Sequence, residues 1–343
     1  MSVAGIAKTK AAPPRAGRTS YRPDLDGLRG LAIAMVLVEH VAQSLFGSAI
    51  SFGPGPAGVT VFFVLSGYLI TSLLQREERI DLRNFYLRRV VRLGPALLLL
   101  IAFVAVVGIV EQTNWIPGVA AALFYSTNLF LTSLHAPLVS QTWSLAIEEQ
   151  FYLLWPLVMI VIPRRYLILV ALIGAAAGCA IYSGDTYYST LANGGAILAG
   201  CALAISGLSV PRAVGVLGLG LILVDVLFWA HGLTVIGSVL VIAGSIKALV
   251  PLGALGRRAY SLYLWNTPMF ILLGPSGIVA TIIIGELSYR LIERPLVRRL
   301  RFPPRVSSAY FGTGVPRWTV NPPSAVTVTV PVAVAPSETR VTV

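Results

Sequence analysis

The chain has 343 residues, 56% of them hydrophobic and only 12% charged, against roughly 25% charged in a soluble domain. A mean hydropathy of +0.80 and recurrent apolar runs of about 20 residues exclude a pair of soluble domains and predict an all-α polytopic membrane protein. The net charge of +12 does not point to a nucleic-acid partner, because the basic residues fall in short clusters between apolar runs, as the positive-inside rule describes.

The N-terminal segment 1–27 carries Lys8, Lys10, Arg15, Arg18 and Arg22. It is long and polar for a signal peptide, and no small-residue cleavage site follows, so the first apolar run reads as a retained span. Spans are expected at 28–46, 57–74, 92–110, 143–162, 166–183, 191–209, 213–230, 232–249, 259–275 and 277–294. Arg76 to Arg89, Arg164 with Arg165, Arg212, Lys247 with Arg257 and Arg258, and Arg294 to Arg301 follow alternate spans. Placing these clusters in the cytoplasm of a cell-membrane protein gives about ten transmembrane helices, with both termini inside. Residues 119–134 are apolar enough for a helix, yet a crossing there would put Arg164 and Arg165 outside. They read as a partial or re-entrant helix packed against protein, the alternative being an eleventh crossing. The membrane domain thus spans 28–297. Segment 298–343, rich in Pro, Ser, Thr and Val, reads as a low-complexity, disordered cytoplasmic tail. Cys179 and Cys201 lie in apolar runs, and the three histidines are far apart, so neither a disulfide framework nor a metal site is expected.

Ionisable groups inside spans are costly and therefore informative. Arg29 and His40 lie eleven residues apart in the first span, about 16 Å along one helix and close to three full turns, so they share a face. Arg29 suits an anion, or a lipid phosphate reached by snorkelling. His40 suits a general base, or a structural histidine held by a neighbouring helix. Glu39 is about 100° around the helix from His40 and should not orient it. Arg89 and Arg92 share a helix face at an entrance, where they could clamp phosphates or act only as topology signals. In TWSLAIEEQFYLLWPL, Glu148 and Glu149 lie about 10–12 Å below the start of the fourth span. That depth could bring an acid to His40, to orient it or to hold an acceptor hydroxyl. Ser66 and Gly67 read as small packing residues. Tyr260 and Asn266 are candidate cavity groups or oxyanion donors, and Glu293 reads as a boundary acid paired with Arg290 or Arg294. His135 and His231 carry no particular signal.

The stretches RPDLDGLRGLAIAMVLVEH, FFVLSGYLIT, FYLRRVVRLGP, TWSLAIEEQFYLLWPL, AYSLYLWNTP and SYRLIERP, in that order across 22–297, resemble the membrane-bound acyltransferase-3 family, which O-acylates polysaccharides, lipids and antibiotics. The resemblance implies a ten-span transferase with no permanently bound cofactor. Its donor would be cytoplasmic acyl-CoA, usually acetyl-CoA, and its acceptor a hydroxyl on a glycan, glycolipid or other glycoside. It assigns the base to His40, with Glu148 as the characteristic glutamate, and gives Arg29, Arg89 and Arg92 the CoA phosphates as partner. Glu149, Tyr260 and Asn266 would border the acceptor or its cavity. Some relatives carry an extracytoplasmic esterase-like domain. This chain is expected to work alone, with membrane lipid around it, or with a separate extracytoplasmic protein. Two positions depart from the family pattern: Thr60 stands where an aspartate is common, and Asn266 where a histidine is common. Direct transfer is the simpler chemistry, with an acyl-histidine intermediate as the alternative. The competing functions are a transporter or flippase of a lipid-linked or glycosidic substrate, and a catalytically inactive interaction protein.

Overall fold

The computed structural model describes residues 21–47, 53–134, 136–228 and 232–299. The tail after Arg299, the first twenty residues, His135 and His231 lie outside them. No strand occurs among the described residues. The helices are α1 (Pro23–Phe46), α2 (Pro54–Leu74), α3 (Leu82–Val110), α4 (Ile116–Leu123), α5 (Thr127–Leu134), α6 (Thr142–Val161) and α7 (Arg164–Ile181). They continue with α8 (Thr190–Ser206), α9 (Arg212–Phe228), α10 (Leu233–Gly244), α11 (Gly253–Gly256), α12 (Ala259–Leu273), α13 (Gly277–Ser288) and α14 (Arg294–Arg299). Each expected span therefore corresponds to a helix.

Local chemistry sets the ends of these helices. Prolines open α1, α2 and α4, where a missing N–H costs nothing. The Asp81 side chain caps α3 by accepting from the Asn84 N–H at 3.1 Å. Gly207, at φ +63°, ends α8.

Five helical stretches are long and apolar enough to cross a membrane: Pro54–Leu74, Leu82–Val110, Thr142–Val161, Arg164–Ile181 and Ala259–Leu296. A sixth results if Leu233–Gly244 and Lys247–Gly256, bent by 101°, form one span. This is fewer than the ten expected from sequence. Helices α8 and α9, at 17 residues each, are shorter than the about 20 that an upright crossing needs. The stretch Ala259–Leu296 doubles back: Gly285 of α13 packs on Leu262 of α12, and Gly277 on Met269, so the two helices lie side by side. Large apolar side chains such as Val106, Ile109, Leu153, Ile173, Leu217 and Leu287 are exposed, as lipid-facing residues of a multi-pass membrane protein would be.

The centre of the bundle is α1, α2, α8 and α12, packed around Leu28, Ile33, Phe63 and Ile197. The α2–α8 contact is backbone to backbone. A Cβ at Gly67 would lie 1.8 Å from the Ile197 carbonyl oxygen, so only glycine permits this approach. The 119–134 segment is a broken helix, α4 then α5, with Tyr125 at φ +51° between them. Gln150 of α6 donates to the Tyr125 carbonyl (2.9 Å) and to Asn128 Oδ1 (3.0 Å), and Thr127 meets Thr142 at 2.9 Å. The break is thus held by protein, as an irregular backbone in a bilayer requires.

Candidate active site

Two polar centres lie along α1. The first surrounds Arg89. Its guanidinium stacks 3.5 Å from the centroid of the Tyr152 ring and pairs with Glu149 at 3.8 Å. Glu148, one turn before Tyr152, accepts from Ser66 Oγ at 2.8 Å and from the Tyr152 hydroxyl at 3.4 Å. Arg29 and Arg89 act electrostatically on Glu148, and Arg29, Arg89 and Glu293 act on Arg92. Arg29 also pairs with Asp26 within α1, at 3.0 Å. Three arginines from two helices thus meet the acids of α6 and of a π-helical turn at Tyr289–Glu293. Such turns are frequent at functional sites. A cluster of this kind can hold a multiply charged anion by exchanging internal carboxylate contacts for phosphate ones.

The second centre is His40. Its Nδ1 lies 2.8 Å from the Val36 carbonyl oxygen, one turn back on α1. A carbonyl can only accept, so Nδ1 carries the proton, and in the neutral ring Nε2 then keeps its lone pair, the form a general base needs. Thr267 Oγ1 is 3.5 Å from Nε2 and donates to Asn266 Oδ1 at 2.7 Å. Asn266 is fully buried and its Nδ2 has no hydrogen-bond partner. An unanswered amide donor beside a base is costly unless something binds there. Phe270 packs against the imidazole, with ring centroids 5.7 Å apart.

The structure brings Arg29, Arg89, Arg92, Glu148 and Glu149 together, and it gives Glu148 and His40 different hydrogen-bond partners. Among the described residues no hydrogen bond or ion pair joins those two. Glu148 meets the arginine centre instead, because the 148/152 face of α6 turns to α2 and α3. Tyr260 belongs there too: its hydroxyl donates to the Leu93 carbonyl at 2.8 Å, so it is not a free oxyanion donor. Glu293 is buried and accepts from Ser261, whereas Arg290 pairs with Glu286, which corrects the boundary pairing expected from sequence. Glu39 accepts from Gln43 at 2.8 Å. Thr60 donates to the Pro56 carbonyl at 3.0 Å. Sequence reading missed Ser66 and Thr267 as site residues; small hydroxyls in apolar helices give no signal until the facing helix is known.

The family model described as an acyltransferase domain matches residues 22–194. The chain belongs to that acyltransferase-3 family. It is similar to O-acetyltransferase OatA of Staphylococcus aureus (strain NCTC 8325 / PS 47), at 30% identity over 81% of this chain and 58% of that protein. It is also similar to peptidoglycan O-acetyltransferase OatA of Listeria monocytogenes, at 31% over 80% of this chain and 56% of the relative. A third relative, the putative peptidoglycan O-acetyltransferase YrhL of Bacillus subtilis, is 31% identical over 80% of this chain and 55% of its own length. The chain therefore spans under three-fifths of the length of these relatives. No solved structure matches. The match covers α1, α2, α3 and α6 and so includes both polar centres apart from their α12 residues and Glu293.

Proposed function

We propose that the protein is an integral-membrane O-acyltransferase that moves an acetyl group from cytoplasmic acetyl-CoA to a hydroxyl of a glycan, glycolipid or other glycoside. The observation that carries this is the pairing, on one helix, of an arginine centre with a histidine whose Nδ1 is committed to the Val36 carbonyl, so that the neutral ring offers Nε2. Arg29 and His40 are both in α1, about 16 Å apart along its axis. That layout fits a donor with phosphates at one end and a thioester at the end of a long arm. Relatives named as peptidoglycan O-acetyltransferases support both the reaction and a carbohydrate acceptor.

In this reading Arg29, Arg89 and Arg92 hold the CoA phosphates, and Glu148 and Glu149 position those arginines. His40 Nε2 takes the proton of the acceptor hydroxyl as its oxygen attacks the thioester carbonyl. The oxyanion that forms is met by Asn266 Nδ2. The imidazolium N–H can rest on Thr267 Oγ1, whose own proton is given to Asn266. As the tetrahedral species collapses, the C–S bond breaks and the imidazolium returns the proton to the CoA thiolate. Purified protein given acetyl-CoA and a soluble glycan should yield glycan one acetyl group heavier by mass spectrometry. Movement of unmodified glycan across vesicles without donor, and no acylated product, would favour a flippase.

Replacing Arg89 or Arg92 with alanine should raise the apparent KM for acetyl-CoA about tenfold or more, the effect of losing a charge-assisted hydrogen bond, with little change in kcat. Lysine should rescue only in part, lacking the guanidinium fork. A defect confined to the acceptor KM would contradict the assignment.

The topology that serves this reaction has ten crossings and both termini in the cytoplasm, with 28–297 as the catalytic unit. In a Cys179→Ala background, a cysteine placed after Pro304 should react with an impermeant maleimide only after cells are permeabilised. Ready labelling in intact cells would place the tail outside.

A further inference from the structure

A cavity of about 80 Å³ lies where α2 and α10 begin, α7 and α9 end, and α8 begins. Under the proposed topology these are all non-cytoplasmic ends. Asp225, Thr60, Asn193, Tyr182 and Cys179 line it, with small apolar groups between them. The site is distinct from His40, since α2 turns Gly55 and Gly58 toward Glu39 and Val36 of α1 but Pro56 and Thr60 toward the cavity.

The lining is rich in acceptors. Asp225 is the one acid of α9, and its Oδ2 takes the Thr234 N–H at 2.7 Å, leaving Oδ1. Asn193 gives its amide hydrogens to the carbonyls of Tyr187 (2.6 Å) and Ser189 (3.0 Å), leaving its oxygen. Thr60 has given its proton to Pro56, leaving lone pairs. Such a site calls for a donor-rich ligand. One carboxylate among alanines and Val235 suits hydroxyls with C–H faces between them better than a bare divalent ion, which takes six or more oxygens. The volume equals that of about two or three liquid waters, enough for one hydroxymethyl-bearing edge of a sugar. The first turn of α2 lies between the two places: Gly55 packs on the Glu39 side chain, next to His40 in the sequence, and Pro56 lines the cavity.

We infer that this cavity is a saccharide subsite, in which Asp225, Asn193 and Thr60 accept hydrogen bonds from the hydroxyls of an acceptor glycan whose reacting sugar lies at His40. The inference rests on the proposed transfer to a glycan and adds where a further sugar of the chain is gripped.

Cys179 supplies the readout, because it lines the cavity and is exposed while Cys201 is buried. The full chain in proteoliposomes is treated with a small anionic methanethiosulfonate, with and without an N-acetylglucosamine tetramer, and acetyl transfer to the tetramer is measured in the same preparation. Labelling of Cys179 should slow about tenfold at a tetramer concentration ten times its Kd, following the unoccupied fraction. Asp225→Asn keeps an acceptor for the Thr234 N–H, so the fold should persist while protection is lost or weakened. Thr60→Ala should also weaken protection. Acetylated tetramer without protection of Cys179 overturns the subsite and leaves the reaction standing; protection without acetyl transfer supports the subsite and overturns the reaction. No labelling from outside, full protection in both variants, or protection by sodium alone would each overturn the saccharide assignment.

Discussion

Replacing His40 with alanine is expected to remove about 10²–10⁴-fold of the transfer rate while acetyl-CoA still binds. The base contributes through one atom, Nε2, which bears the lone pair of the neutral ring because Nδ1 is committed to the Val36 carbonyl. His40→Gln keeps hydrogen bonding without a usable base and should fail to a similar extent. The arginine centre lies about 16 Å away along α1, so donor Kd should be unchanged within about twofold in both variants. Equilibrium binding of acetyl-CoA beside single-turnover transfer checks this. Because Glu148 contacts Ser66 and Tyr152 rather than His40, Glu148→Gln and His40→Ala should affect different parameters, donor KM and chemistry. Strong coupling between them would show that the two groups meet during the reaction.

Asn266→Leu is expected to lower kcat by about 10²–10³-fold, the usual effect of losing one oxyanion donor. Asn266 is wholly buried with Nδ2 unanswered, so an apolar side chain of similar volume removes an unsatisfied donor, and the Thr267 proton that Oδ1 accepted can turn to His40 Nε2, 3.5 Å away. Thermal stability should therefore stay the same or rise while activity falls. That opposition separates a catalytic amide from a structural one, whose loss would lower both. Wild-type kcat in a stably folded Asn266→Leu protein would take this residue out of the reaction.

Much of the scaffold was legible in sequence because bilayer chemistry writes it into hydropathy. Every expected span has a helix, and the break in 119–134 appears between α4 and α5. Arg29 and His40 share a continuous helix, so their spacing carried over directly. The pairing of Glu148 did not carry over. Depth along a helix can be counted from sequence, but the neighbour that a face meets is set by packing, here the close α2–α8 contact at Gly67 and the approach of α3 to α6. Ser66, Thr267 and Asp225 were overlooked for the same reason, and Glu293 was misread because a π-helical turn carries it inward to Ser261. The span count differs because α12 and α13 double back and α8 and α9 are short.

The central claim is that a donor held at the arginine centre is carried to an acceptor at His40, across the thickness of the bundle. The most direct measurement uses proteoliposomes with isotopically labelled acetyl-CoA sealed on the side of Arg89 and glycan supplied only on the other side, followed by mass spectrometry of the glycan after one turnover. The account predicts labelled O-acetyl glycan outside, in the wild type and not in His40→Ala. Absence of labelled product in the wild type, or equal product from both proteins, would contradict it.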